Sequence, residues 1–218
     1  MIQLNNITKI YAQTTALNNI NLQFKEGELI VLKGASGSGK STILSLIAGL
    51  TKPTSGEVIV DNKQISKLAD NFASLYRREN IGFIFQKYNL ITNLSVKENI
   101  AIPLVPNNPE EKELEVLLQS IMEKFKIEHK KDIIVKNLSG GEQQRVAIAR
   151  ANINNPKIII ADEPTANLDE KLSLHFLEIL KSLKQSNKTI IVATHDPIFF
   201  NLDFVDRIIE IHNGNIIV

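Results

Sequence analysis

Two kinds of apolar pattern run along the chain. Ile20, Leu22 and Phe24 alternate with Asn21 and Gln23, the period of a strand with one buried face. Residues 2–11 and 17–24 therefore predict two strands of an antiparallel sheet, with Tyr11 in the turn between them. Residues 28–32, 81–85, 157–161 and 188–194 are instead apolar almost without a break. Such runs suit strands buried on both faces, as in a parallel sheet. Ser55-Gly56 closes a turn, and a short strand follows over 57–61. At the end of the chain, residues 207–211 and 216–218 flank Asn213-Gly214, a hairpin turn.

Helical periodicity fills the gaps. Residues 43–48 read as a helix stopped by Gly49, and 68–78 as a second of mixed character. Ser95 and Glu98 form a capping box that opens a third. Asn107-Asn108-Pro109 breaks the chain. The next helix runs to about 126, with Leu114, Leu117, Leu118, Ile121 and Phe125 on one face. Ser139 and Glu142 form a second capping box around Gly140-Gly141. A helix after Asp169 carries Leu172, Phe176, Ile179, Leu180 and Leu183 on one side. Residues 87–137 hold no strand signal, so a helical insertion is expected in an α/β core.

Composition narrows the class. The 218 residues are 43% hydrophobic and 22% charged, with a net charge of +1. That is enough for a real core and gives no global basic face for nucleic acid, so no nucleic-acid partner is expected. With no cysteine, disulfides, thiolate nucleophiles and cysteine-held metals are excluded. Neither a basic-apolar leader nor a run of about 18 apolar residues is visible, so a membrane role is expected to come through a partner.

Chemistry enters at Gly34-Ala35-Ser36-Gly37-Ser38-Gly39-Lys40-Ser41-Thr42, which fits the phosphate-binding loop G-x-x-x-x-G-K-[ST]. Its glycines let successive N–H groups turn inward on phosphates, and the following helix adds its unpaired N–H groups and dipole. Lys40 is placed to reach the β- and γ-phosphates, and the Ser41 hydroxyl to bind Mg²⁺. Three apolar strands end in polar residues: Gln86, the pair Asp162-Glu163, and His195. Ligands in open α/β sheets bind at such carboxyl ends. Asp162 is expected to hold Mg²⁺ and Glu163 to take a proton from the attacking water. His195 would hydrogen-bond the γ-phosphate. Gln86 reads either as a contact to Mg²⁺ or water, or as a polar strand terminus. Tyr11 reads either as a platform for a base or as a surface aromatic. His129, His175 and His212 have no metal-ligand spacing. Two glycines in the first turn of a helix cost roughly 1 kcal/mol each relative to alanine. Gly140-Gly141 therefore points to a close backbone approach, or to an ordinary capped loop.

Tyr11, the phosphate loop, Gln86, Leu138-Ser139-Gly140-Gly141-Glu142-Gln143, Ile158–Glu163, Ala166–Asp169 and His195 stand in that order. This set resembles the nucleotide-binding domain of ABC ATPases over essentially the whole chain. The resemblance implies one domain over 1–218. It would comprise a RecA-like P-loop NTPase α/β core, an antiparallel β subdomain, and a helical subdomain over about 87–137 with the start of the 139–153 helix. It implies ATP hydrolysis with Mg²⁺ held by Ser41, Gln86 and Asp162. Catalytic roles fall to Glu163, His195 and Gln86, and base stacking to Tyr11. It also implies a homodimer packed head to tail, in which Ser139, Gly140, Gly141 and Glu142 of one copy face the phosphate loop of the other and Asp169 organises the contact. The loop has Ala166 where many members have serine.

A finer likeness rests on Arg77–Gln86, Tyr88-Asn89-Leu90 and Ala161–Asp169, which look like the lipoprotein-release, macrolide-export and cell-division ATPase group. Members pair with an integral membrane permease subunit, implying a peripheral place on the cytoplasmic face of the membrane. The chain ends soon after its last hairpin, and is expected to lack the C-terminal regulatory domain of some importers. Tyr88, Leu90, Ile91 and Leu94 would either line a groove for a partner helix or pack internally. A soluble ABC ATPase acting on DNA or the ribosome is the alternative, weakened by the lack of tandem domains, coiled coil or basic extensions. A small-molecule kinase on the same loop is disfavoured by the LSGGEQ stretch and the Asp162-Glu163 pair.

Overall fold

The computed structural model describes residues 1–166 and 168–217. Asn167 of the expected dimer loop and Val218 of the expected last strand lie outside them. Strands β1 (Ile2–Tyr11), β2 (Thr14–Phe24), β3 (Leu29–Lys33), β4 (Ser55–Val60), β5 (Lys63–Gln64), β6 (Ile81–Ile84), β7 (Ile158–Asp162), β8 (Thr189–Thr194), β9 (Arg207–His212) and β10 (Asn215–Ile217) form two sheets. One is antiparallel, ordered β2-β1-β4-β5, and the other is ordered β10-β9-β3-β8-β7-β6. In the second, β9, β3, β8, β7 and β6 run parallel, and β10 folds back on β9. Both sheet types expected from the apolar patterns are present.

The runs that form β3, β7 and β8 are buried on both faces, while Ile81 and Phe83 of the edge strand β6 are only half-buried, and alternate residues feed two cores. Leu29, Val31, Ile159, Ala161, Ile190 and Val192 pack into one. Ile30, Leu32, Ile158, Ile160, Ile191 and Ala193 pack into the other. The second core is closed by β1, β2 and β4 and by helix α1 (Lys40–Ile47) through Ile43, Leu44, Leu46 and Ile47. The first takes in α3 (Val96–Ala101), α4 (Glu111–Lys124), α5 (Gly140–Asn152) and α6 (Glu170–Gln185). Helix α2 (Asp70–Asn80) leads into β6 and anchors Tyr76, whose buried hydroxyl donates to the Ile47 carbonyl at 3.0 Å. Burial pushes the Tyr76 phenol up, well above its ordinary value.

Both expected capping boxes form. In each, the serine hydroxyl accepts from the glutamate N–H three residues on, and the glutamate carboxylate accepts from the serine N–H. Several boundaries differ from expectation. β2 begins at Thr14 rather than 17, so Tyr11 is the last residue of β1, opposite Thr14, and not part of the turn. A 3-10 turn over Ile102–Asn107, with Pro103 and Pro106, precedes α4. On α4, Leu118 and Phe125 are buried and Leu114 and Ile121 pack beside them, but Leu117 faces solvent.

The β9–β10 turn braces the phosphate loop from behind. Gly214 N–H donates to the Ser38 carbonyl at 2.9 Å, and the Gly214 carbonyl accepts from Asn18 N–H at 2.9 Å. Gly214 has φ +73°, and a Cβ there would meet the Ala16 carbonyl oxygen at 2.7 Å. Gly214→Ala should therefore cost about 1–3 kcal/mol. Thermal unfolding of the nucleotide-free protein should show a Tm lower by a few degrees; a wild-type Tm would contradict this reading of the turn.

Candidate active site

Parallel register brings the strand ends together. Lys33 of β3 lies opposite Thr194 of β8, Asp162 of β7 opposite Ala193, and Ile84 of β6 opposite Ala161. The residues that follow each strand therefore emerge along one edge, beside the loop that follows β3. A cavity of about 220 Å³ sits there. Ser36 to Thr42 form one wall, and Gln86, Glu163, His195 and Ala16 complete it.

Within the loop, Gly37 and Gly39 have φ +77° and +111°, and a Cβ on Gly39 would meet the Ala16 carbonyl at 2.7 Å. These positions need glycine for the backbone turn that aims N–H groups inward. Lys40 is 4% exposed. Its ammonium donates to the carbonyls of Gly34 at 2.7 Å and Ala35 at 2.9 Å, and lies 3.5 Å from Glu163 Oε1. Its burial is balanced by those two carbonyls and the carboxylate.

Asp162 and Glu163 are adjacent but turned to different tasks. Asp162 Oδ1 accepts from the Ser41 hydroxyl at 3.0 Å. Glu163 takes the left-handed backbone conformation, φ +44°, uncommon for a side-chain-bearing residue. That turn swings its carboxylate towards β8. Its Oε1 lies 3.0 Å from His195 Nδ1, and Oε2 accepts from the Thr194 hydroxyl at 3.1 Å and His195 N–H at 3.4 Å. The His195 ring itself is exposed.

Other expected site residues lie apart from the cavity lining. Tyr11 is exposed at the end of β1, with the Lys9 ammonium 4.7 Å from its ring centroid. Asp169 caps α6, accepting from Leu172 N–H at 2.8 Å. Ser139 and Glu142 cap α5, and hydrogen bonds from Ser139 hold the Glu142 carboxyl below its ordinary value. Of the glycine pair, Gly141 packs so tightly on Leu172 that a Cβ would meet its Cδ2 at 2.6 Å. At Gly140 a Cβ would meet none of the described residues within 4 Å. The stretch after Gln86 is tied to α5: Arg150 donates to the carbonyls of Tyr88 at 2.5 Å and Asn89 at 2.6 Å. Tyr88 is buried and Leu90 packs on the first core, while Ile91 is 50% exposed.

The donors near Ser41 are hard: a hydroxyl, a carboxylate and the Gln86 amide. Mg²⁺ is usually held by one or two carboxylates with phosphates and water rather than by an all-protein cage. The described residues include no cluster of three or more His, Cys, Asp and Glu side chains able to hold a metal. A hydroxyl, a carboxylate and an amide oxygen are a donor set that fits Mg²⁺.

Burial pushes the Asp162 carboxyl up, with the neighbouring Glu163 charge adding to it and Ser41 and Lys40 opposing. The folded state thus holds this proton more tightly than the unfolded chain. Its contribution to stability is present at low pH and is lost as pH rises from about the ordinary 3.8 through the raised value. Asp162→Asn, which keeps an oxygen for Ser41, should raise the Tm of the nucleotide-free protein at pH 7. The gain should shrink as pH falls through that window. A Tm lower than wild type at pH 7 would contradict it.

Comparison with known proteins places this geometry. The family model for ABC transporters matches residues 17–166. An uncharacterized ABC transporter ATP-binding protein of Methanocaldococcus jannaschii, MJ1508, is 40% identical over 221 residues, covering all of this chain and 98% of the relative. The macrolide export ATP-binding/permease protein MacB of Campylobacter jejuni is 41% identical over 217 residues, and the chain spans 34% of its length. Among solved structures, the dimeric post-hydrolysis state of the ATP-binding cassette MJ0796 bound to ADP and Pi superposes with a TM-score of 0.91 at 41% identity. That match covers 99% of this chain and 96% of the other. With the family match, the full-length relatives and the phosphate loop in agreement, the chain belongs to the ABC transporter family, as an ATP-binding cassette.

Proposed function

We propose that this chain is the ATP-hydrolysing half of a head-to-tail homodimer that drives an integral membrane permease from the cytoplasmic face. The observation that carries the reading is the split between its glycines. Gly141 is needed for packing within the chain, whereas at the tip of α5 a Cβ on Gly140 would meet none of the described residues within 4 Å. None of the described residues lining the phosphate-loop cavity comes from 139–142. A helix N-terminus stripped of side chain but facing nothing suits phosphates bound by a second copy. The dimeric cassette MJ0796, similar over nearly its full length, supports the same assembly.

In this reading, loop N–H groups from Gly34 to Thr42 hold the phosphates, and Lys40 leaves the Gly34 and Ala35 carbonyls to pair with them. Ser41, Asp162 and Gln86 would hold Mg²⁺, which supplies positive charge against the phosphate oxygens. Glu163 orients water and accepts its proton as the oxygen bonds to the γ-phosphorus and the bond to ADP breaks. His195, braced on Glu163, donates to the γ-phosphate. Tyr11 stacks on the base, and Asp169 organises the dimer contact. Residues 87–137 with the start of α5 act as the helical subdomain that carries Ser139–Glu142 to the partner. Among the described residues no helix is long and apolar enough to cross a membrane. The cbiO1 cassette of Clostridium perfringens, part of the transporter complex cbiONQ, is 32% identical with a TM-score of 0.88 over the whole chain. Its place in a transporter complex supports a partner subunit for this chain.

Glu163→Gln should lower ATP turnover by about 10²–10⁴-fold and accumulate an ATP-dependent dimer in size-exclusion chromatography. If the variant binds nucleotide yet stays monomeric with Mg-ATP, the paired site is wrong. Of the apolar residues after Gln86, Ile91 is the exposed one and the candidate partner contact. Ile91→Asp should abolish stimulation by the membrane partner in proteoliposomes at unchanged basal turnover; full stimulation would remove Ile91 from the interface.

A further inference from the structure

Glu163 does not reach its position by strand geometry alone. Its carboxylate is the end of a chain of hydrogen bonds that returns to its own loop. Thr194 is fully buried at the end of β8, and its hydroxyl donates to Glu163 Oε2 at 3.1 Å. The same hydroxyl oxygen accepts from Asp196 N–H at 3.0 Å. The Asp196 carboxylate then accepts from the Thr165 hydroxyl at 2.7 Å through Oδ2 and from Ile198 N–H at 3.1 Å through Oδ1. Thr165, also buried, sits two residues after Glu163 in a turn closed by Ala166 N–H on the Glu163 carbonyl at 3.2 Å. Leu168 N–H donates to the Thr165 carbonyl at 3.0 Å, so the same turn begins the loop that leads to Asp169. From the opposite side, the buried Gln144 amide of α5 donates to the Pro164 carbonyl at 3.0 Å.

Each donor hydrogen in this chain has an acceptor, and removing one threonine hydroxyl leaves a partly buried partner at Asp196 or Glu163 with one hydrogen bond fewer. Glu163 also carries an unfavourable backbone conformation, φ +44°, that must be held by its surroundings. We propose that Thr165 and Thr194 are positioning residues for hydrolysis: through Asp196 they set the direction of the Glu163 carboxylate from the loop that leads to Asp169. The inference rests on Glu163 being the base, as proposed above. It adds that the base is aimed by two threonines that never touch nucleotide, and that a shift of the 165–169 loop is felt at the carboxylate. Neither threonine lines the phosphate-loop cavity, so nucleotide affinity does not depend on them.

The test is steady-state ATPase kinetics on the full chain with Thr194→Val, Thr165→Val, their double variant, Thr194→Ser and Glu163→Gln, with nucleotide affinity measured for each. Each valine variant should lower kcat about tenfold at a KM within about twofold of wild type. Thr194→Ser, which keeps the hydroxyl, should restore most of the rate. In the double variant the loss should stay near tenfold rather than reach about a hundredfold, the mark of two groups acting in one chain. Additive losses, a change confined to KM, or a serine variant as slow as the valine one would overturn the proposal. Should Thr194→Val fail to fold, Thr165→Val at the far end carries the same prediction, and wild-type kcat there overturns it. A dead Glu163→Gln beside unimpaired valine variants removes the relay alone. An active Glu163→Gln removes the base assignment and the relay with it.

Discussion

The parallel pairing of β3, β8, β7 and β6 is the constraint on which the site depends. Because β3, β7 and β8 are buried on both faces, their register cannot slip without moving side chains between the two cores. Leu29, Val31, Ile159 and Ala161 serve one core, and Ile30, Leu32, Ile158 and Ile160 the other. A one-residue shift of β7 would exchange those sets and displace Asp162 from Ser41. The apolar packing thus sets the spacing between the phosphate loop and the carboxylates, and the polar contacts refine it.

Charge is concentrated where that packing leaves the strands open. Asp162, Glu163 and Lys40 meet at one edge, each at least partly desolvated. A buried carboxylate pair is unfavourable unless cations or donors face it. Lys40, Ser41, Thr194 and the His195 backbone provide those contacts. The resulting edge balances its charges within the chain. The left-handed backbone at Glu163 is part of that arrangement, since it separates the directions of two consecutive side chains.

The two glycines at the start of α5 stand in different surroundings. Gly141 lets α5 approach Leu172 of α6 and so belongs to the fold, while Gly140 has none of the described residues to accommodate. Reading both glycines as marks of a close approach was right for Gly141 within the chain. For Gly140 no described residue makes such an approach. The apolar residues after Gln86 also separate once folded: Tyr88 and Leu90 go inward and Ile91 stays out. A run of apolar residues carries no information on which will be covered when the covering element, here α5 with Arg150, lies some sixty positions away in the chain.

Much of the site was legible because it is built from local signals. The phosphate loop is a contiguous stretch, the capping boxes span four residues, and the carboxylates follow an apolar run whose length sets where it ends. Gln86, Glu163 and His195 could each be placed at a strand terminus for that reason. Thr165, Thr194 and Asp196 gave no comparable signal: a threonine at the end of an apolar strand looks like any β-branched residue. Their roles arise from hydrogen bonds that close across 31 and two positions. Ala16 as a wall of the cavity, and the Gly214 turn behind Ser38, were invisible for the same reason. Periodicity and short motifs are local properties and name the elements and their chemistry. Which side chains from distant segments come within 3 Å of one another depends on register and packing, which arise only when the chain has closed on itself.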